Sequence, residues 1–141
     1  MGQQQLLLII LGVIVVGIAV AVGITMFSDA AINANRDALT NDLVNLGSRA
    51  KQFYRRPTSL GGGSNSFNGL SADGPGIKKL TNNPLNGNGS YTIVTAGTAQ
   101  TGATAFIEIE GYGNETGNNG SSVVRMHIKV FPSRDSVWVL N

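Results

Sequence analysis

Residues 2–27 read GQQQLLLIILGVIVVGIAVAVGITMF, and the reading of this stretch decides the fold. Residues 6–27 contain no charge. About 20 consecutive apolar residues cross a bilayer as a helix, and this run is long enough. Left in water, so much apolar surface would cost on the order of tens of kcal/mol at ~25 cal/mol per Å2, so lipid or other protein must cover it. A cleaved secretory signal fits less well. The residues ahead of the run include no lysine or arginine, and the run exceeds the ~7–15 residues of such a signal's apolar core. The segment is therefore expected to stay on the protein.

The pattern changes at Ser28 without breaking. In SDAAINANRDALTNDLVNLGSRAKQFYRRP the apolar residues Ile32, Leu39, Leu43, Leu46, Ala50 and Phe53 recur at steps of seven, four, three, four and three. That spacing is one face of a helix. Asp29, Asp37 and Asp42 come early and Arg49, Lys51, Arg55 and Arg56 come late, the order that complements a helix dipole. No proline occurs before Pro57, which supplies the stop. One helix of roughly 50 residues, about 80 Å long, is predicted. Its first part (1–28) is apolar all round, and its second (29–56) is amphipathic.

The amphipathic stripe needs a partner. Residues 57–90 are rich in glycine and asparagine and read as an irregular connection, with a short helical turn at Ile77, Lys78, Lys79 and Leu80. Four strand-like runs follow within 91–141, at 91–96, 103–112, 122–131 and 136–140. In the second, Ala105, Ile107 and Ile109 alternate with Phe106, Glu108 and Glu110. In the third, Val124, Met126, Ile128 and Val130 alternate with Arg125, His127 and Lys129. If these two strands pair, an acidic row meets a basic row on the outer face and the apolar face is left for the helix. The predicted fold is α+β: one long N-terminal helix packed on a C-terminal antiparallel sheet of about four strands.

Composition narrows the chemistry. The chain has 141 residues, a formal net charge of +2 and no cysteine. Neither disulfides nor thiol chemistry is available. The scattered basic residues do not form a nucleic-acid footprint, and no nucleic-acid partner is expected. One histidine, His127, cannot assemble the usual zinc sets without cysteine, and its place between Arg125 and Lys129 suits a surface residue. SLGGGSNS lacks the lysine and following helix of a phosphate loop. GYGNETGNNGS offers oxygen ligands of the kind calcium takes, but a hairpin tip explains it more simply. No catalytic, cofactor-binding or metal-binding residue is assigned; no cofactor is expected and the chain is read as a non-enzyme. Phe27, Phe53, Tyr54 and Trp138 are read as packing residues.

A short polar start containing a glycine, an unbroken apolar helix, an amphipathic continuation, a glycine-rich connection and a C-terminal antiparallel sheet together resemble the bacterial type IV pilins and pseudopilins. The resemblance implies a precursor cut after a glycine by a prepilin peptidase, a methylated new N terminus and residence in the inner membrane. Assembly machinery then packs copies of the chain, apolar helices inward, into a filament at the cell surface. The processing residues it points to are Met1, Gly2 and Gln3. Family members usually carry glutamate as the fifth mature residue. Cleavage after Gly2 puts Leu7 there, whereas a mature start at Met1 puts Gln5 there, whose carbonyl can accept a hydrogen bond from an ammonium group. The chain also lacks the relatives' cysteine pair and the proline within the apolar helix.

On that reading the assembly residues are Gln5, Leu6, Leu7, Leu8, Ile9 and Ile10, followed by the small residues Gly12, Gly17, Ala21 and Gly23. The pairs Gly17 with Ala21 and Ala19 with Gly23 allow close helix approach. Three N-x-S/T sequons, at Asn88, Asn114 and Asn119, are candidate glycosylation sites. Two functions are expected from different classes. One is the structural subunit of an extracellular filament, with a minor pseudopilin as its variant. The other is a single-pass anchored protein whose head binds a partner outside the membrane.

Overall fold

A computed structural model describes residues 2–72, 74–95, 102 and 104–141. Helix α1, Gly2–Arg55, runs unbroken for 54 residues, within the predicted span of 1–56. A 3-10 turn at Thr58–Leu60 and a short helix α2 at Gly74–Lys78 follow. Strands β1 (Gly89–Thr95), β2 (Ile107–Thr116), β3 (Val123–Val130) and β4 (Asp135–Val139) form one antiparallel sheet in the order β1-β2-β3-β4.

Every residue of the predicted helical stripe is buried, from Ile32 through Leu39, Leu43, Leu46 and Ala50 to Phe53. It lies on the inner faces of β2 and β3, where Ile107, Ile109, Val124, Ile128 and Val130 are fully buried. The predicted alternation of both strands therefore holds. Where the apolar residues of β2 end, the same face continues as Gly111 and Gly113. A Cβ at Gly113 would sit 2.0 Å from Asn35 Oδ1 and 3.2 Å from Leu39; one at Gly111 would sit 3.2 Å from the Tyr91 ring. From the helix side, a Cβ at Gly47 would come within 3.1 Å of Ile128. These glycines let backbone and side chains meet where another residue would hold the layers apart.

On the outer face the acidic and basic rows are in register: Glu108 faces Lys129, Glu110 faces His127 and Tyr112 faces Arg125. Lys129 Nζ lies 3.2 Å from Glu108, and Arg125 Nε donates to Glu110 at 2.7 Å. The Lys129–Glu108 pair is partly exposed and selects the register more than it stabilises it, since surface pairs contribute about 0–1 kcal/mol. Glu110 is buried and is held there by Arg125 and by the Tyr112 hydroxyl.

Several boundaries move. β1 begins at Gly89, two residues earlier than predicted, because Gly89 and Ser90 pair with Gly113 and Tyr112 of β2. β2 starts at Ile107, with Ala105 buried just ahead of it, and extends to Thr116. The glycines conceal the end of that strand from any apolar-alternation reading. Ala96, Ala103 and most of the β1–β2 hairpin tip lie outside the described residues. The predicted helical turn is centred earlier, at Gly74–Lys78, with Ile77 and Leu80 pointing into the core. With Phe67 and Leu70 they make the connection a contributor to the core, the Phe67 ring 4.9 Å from that of Tyr54.

The glycine-rich stretch after Pro57 also ends the helix. The amides of Gly63, Asn65 and Ser64 donate to the carbonyls of Phe53, Tyr54 and Arg56 at 2.8, 2.7 and 2.9 Å, satisfying acceptors that a helix end leaves open. A Cβ at Gly63 would lie 1.8 Å from the Ser66 carbonyl oxygen, an obstacle made of backbone. Gly63→Ala is expected to cost about 1–3 kcal/mol, from overpacking. Thermal unfolding followed by circular dichroism in detergent should show a lower melting temperature; an unchanged one would mean that the wrap does not hold the helix end.

Candidate functional site

The first half of α1 packs against no other element among the described residues. Every large apolar side chain in residues 6–27 is at least half exposed, from Val22 at 50 % to Phe27 at 79 %, and none joins the core. The helix is long and apolar enough to cross a membrane. Thr25 is the one polar side chain in that stretch, and its hydroxyl donates to the Val22 carbonyl at 2.8 Å. The segment thus presents no unsatisfied side-chain group to an apolar environment, whether lipid or protein.

Within it, Leu6, Leu7, Leu8, Ile9 and Ile10 form an exposed collar, with Gln3, Gln4 and Gln5 exposed on the turn before them. Apart from the adjoining backbone of α1, nothing among the described residues lies within 4 Å of a Cβ built at Gly2, Gly12, Gly17 or Gly23, in contrast to Gly47, Gly111 and Gly113. No contact among the described residues calls for their small size. Ala21 is likewise exposed, one turn beyond Gly17. Met1 lies outside the described residues.

The head contains a second polar arrangement. Asp42 Oδ2 accepts hydrogen bonds from Tyr91 Oη at 2.5 Å, Asn88 Nδ2 at 2.8 Å and Asn86 Nδ2 at 2.9 Å. One carboxylate on α1 thereby holds the connection and β1. Burial pushes the Asp42 carboxyl up, but the bonds from Tyr91, Asn88 and Asn86 outweigh it and leave the group below its ordinary value. Burial, followed by the bond to Asp42, pushes the Tyr91 phenol up. A groove of about 230 Å3 beside this node is lined by Asp42, Asn45, Arg49, Thr81 and Asn83 among others. Its one carboxylate is already engaged by three donors, so the node serves as a clasp.

The three sequons are placed differently. Asn88 is half-buried and its amide nitrogen is committed to Asp42, so attachment of a sugar there would break the clasp. Asn114 is exposed and donates to the Gly87 carbonyl at 2.8 Å. Asn119 is exposed at the β2–β3 tip, where its Oδ1 accepts from the amides of Ser121 and Ser122. That oxygen is turned into the hairpin, as the hairpin-tip reading requires. The His127 ring packs against Trp138 at a tilt of 42°, with centroids 4.7 Å apart, and its Nε2 is buried with no partner among the described residues. No group of three or more His, Asp or Glu that could hold a metal occurs among the described residues. The clasp and the glycine pair of β2 escape sequence reading, because neither follows a local spacing rule.

Comparison with known proteins found no match among family models, curated proteins or solved structures. The architecture of a long apolar helix carried into an antiparallel sheet is compatible with a pilin-like fold.

Proposed function

We propose that the chain is a pilin-like structural subunit that polymerises into an extracellular helical filament by burying residues 6–27 among copies of itself. The observation that carries this reading is the continuity of α1. The same helix that is exposed and apolar to Phe27 enters the head core at Ile32 with no linker between. A filament needs each head held rigidly to its core helix; a simple anchor works equally well through a flexible joint. Glycines that no contact among the described residues requires give neighbouring helices places to approach closely. Before assembly the helix would reside in the inner membrane, and prepilin peptidase and pilus assembly proteins would be the partners implied by the resemblance.

No acid stands at Gln5 or Leu7, so docking would rest on apolar packing and on amide contacts from Gln3, Gln4 and Gln5. The triple variant Gln3→Leu, Gln4→Leu and Gln5→Leu is expected to reduce filament yield at least severalfold while leaving membrane insertion intact, judged by shearing and by membrane fractionation. Normal yield would remove the glutamines from the mechanism. The reading itself is tested by mass spectrometry of the N-terminal peptide from material sheared off the cell surface. A methylated Met1 or Gln3 in that fraction is the expected result. An unprocessed chain found only in membranes would overturn it in favour of the single-pass anchor.

A further inference from the structure

The formal charge of the head is unevenly spread. Arg49, Lys51, Arg55, Arg56, Lys78 and Lys79 fall within residues 49–80, leaving four of the ten basic residues for the rest of the chain. In the fold three of them line one hollow of about 190 Å3. Arg49, Gln52 and Phe53 come from the last turns of α1, Arg56 from the residue just after its end, and Lys79 and Leu80 close it from beyond α2. Among the described residues no carboxylate lines this hollow. The ion pairs among the described residues engage Lys51, Arg125 and Lys129, and leave Arg49, Arg56 and Lys79 without an acidic partner.

Two of the three cations are held in place. Arg49 Nη1 donates to the Leu80 carbonyl at 3.0 Å and its Nε to Asn45 Oδ1 at 3.2 Å. Lys79 Nζ donates to the Gly69 carbonyl at 2.7 Å and stands 6.0 Å from the centre of the Phe53 ring. Gly69, at φ +98°, permits that approach; a Cβ there would lie 3.2 Å from Lys79 Nζ. Arg49 and Lys79 each keep further N–H donors, and the Arg56 guanidinium has no hydrogen-bond partner among the described residues. Phe53 and Leu80 supply an apolar floor. Like charges gathered over such a floor repel, and an anion reverses the sign of that interaction.

We propose that this hollow binds a phosphate-type oxyanion. Two guanidinium forks and an ammonium match a group with several equivalent oxygens better than they match a single carboxylate. Arg49 lies 22 residues beyond Phe27, about 33 Å along the helix axis. That distance exceeds the depth of a headgroup layer, so lipid of the membrane that receives residues 6–27 is not the source. The ligand is either free phosphate or a phosphoryl group carried by a soluble molecule. The inference does not depend on polymerisation.

The test is titration of the full-length, nitrogen-15-labelled chain in nonionic detergent with sodium phosphate, against sodium chloride at matched ionic strength. Saturable shifts of the Gln52, Phe53 and Leu80 amides at millimolar phosphate are expected, with no such response to chloride. Arg56→Gln should weaken binding about tenfold, the loss of one charge-assisted contact. Adding Lys79→Gln should abolish it. Lys78→Gln removes an exposed charge outside the hollow and should leave binding unchanged; an unperturbed spectrum of β2 and β3 confirms that each variant is folded. Glycerol phosphate in place of inorganic phosphate separates the sources: saturation by both points to a carried phosphoryl group, by phosphate alone to the free ion. Absence of saturation, or an equal loss in Lys78→Gln, would overturn the proposal.

Discussion

A chain that starts at Asp29 is expected to be a soluble monomer whose head melts within about 4 °C of the full-length protein in detergent, equivalent to ~1 kcal/mol or less. The reason is where the core begins. Ile32 is its first residue, and every other member lies further along, so residues 2–28 add nothing to the folded head except exposed apolar surface. The full chain without detergent should instead associate or precipitate, since residues 6–27 leave apolar area worth tens of kcal/mol, at ~25 cal/mol per Å2, uncovered. Size-exclusion chromatography and thermal unfolding of both chains read the two halves of the prediction. A truncated head that melts far lower would mean that the exposed segment supports the fold, and a full chain monomeric in plain buffer would remove the reason for assembly.

The second large effect is expected at Asp42. Asp42→Ala leaves the Tyr91 hydroxyl and the Asn86 and Asn88 amides without their acceptor. Hydrogen bonds to a charged group contribute about 1.5–3 kcal/mol each, and three sharing one partly exposed carboxylate are not additive. The expected cost is about 2–4 kcal/mol, the larger end applying if water does not reach the orphaned groups. The acid limb follows from the direction of the shift. Because folding lowers the Asp42 pKa, its contribution is complete above the ordinary value of 3.8 and is lost as pH falls through the lower folded value. The stability gap between wild type and Asp42→Ala should therefore be widest near neutrality and close below pH 3.8. Glu108 is also lowered, burial being outweighed by hydrogen bonds from Thr95 and Lys129, so some acid sensitivity should survive in the variant. A gap that is constant across this range would show that the charge of Asp42 is not what the clasp uses.

Residues that act through a repeat are legible in the sequence itself. The stripe from Ile32 to Phe53 and the alternation in β2 and β3 announce their faces whatever lies opposite, because 3.6 and 2 are properties of the backbone. The exposed run of residues 6–27 is equally plain, since length without charge is a one-dimensional quantity. Asp42 carries no such mark: it is one of three early acids suited to the helix dipole, and its three donors come from more than forty residues away. Gly111 and Gly113 interrupt the apolar alternation of β2, yet side chains of Tyr91, Asn35 and Leu39 occupy the space that a Cβ at either would need.

Local periodicity and apolar length thus settle which elements exist and which surface must leave water, for both are written in neighbouring residues. Tertiary packing decides the rest: that Phe67, Leu70, Ile77 and Leu80 belong to the core, that Asn88 is turned inward, and that Arg49, Arg56 and Lys79 share one hollow. Each of these depends on groups distant in the chain being brought within a few ångströms. No spacing rule encodes such a distance.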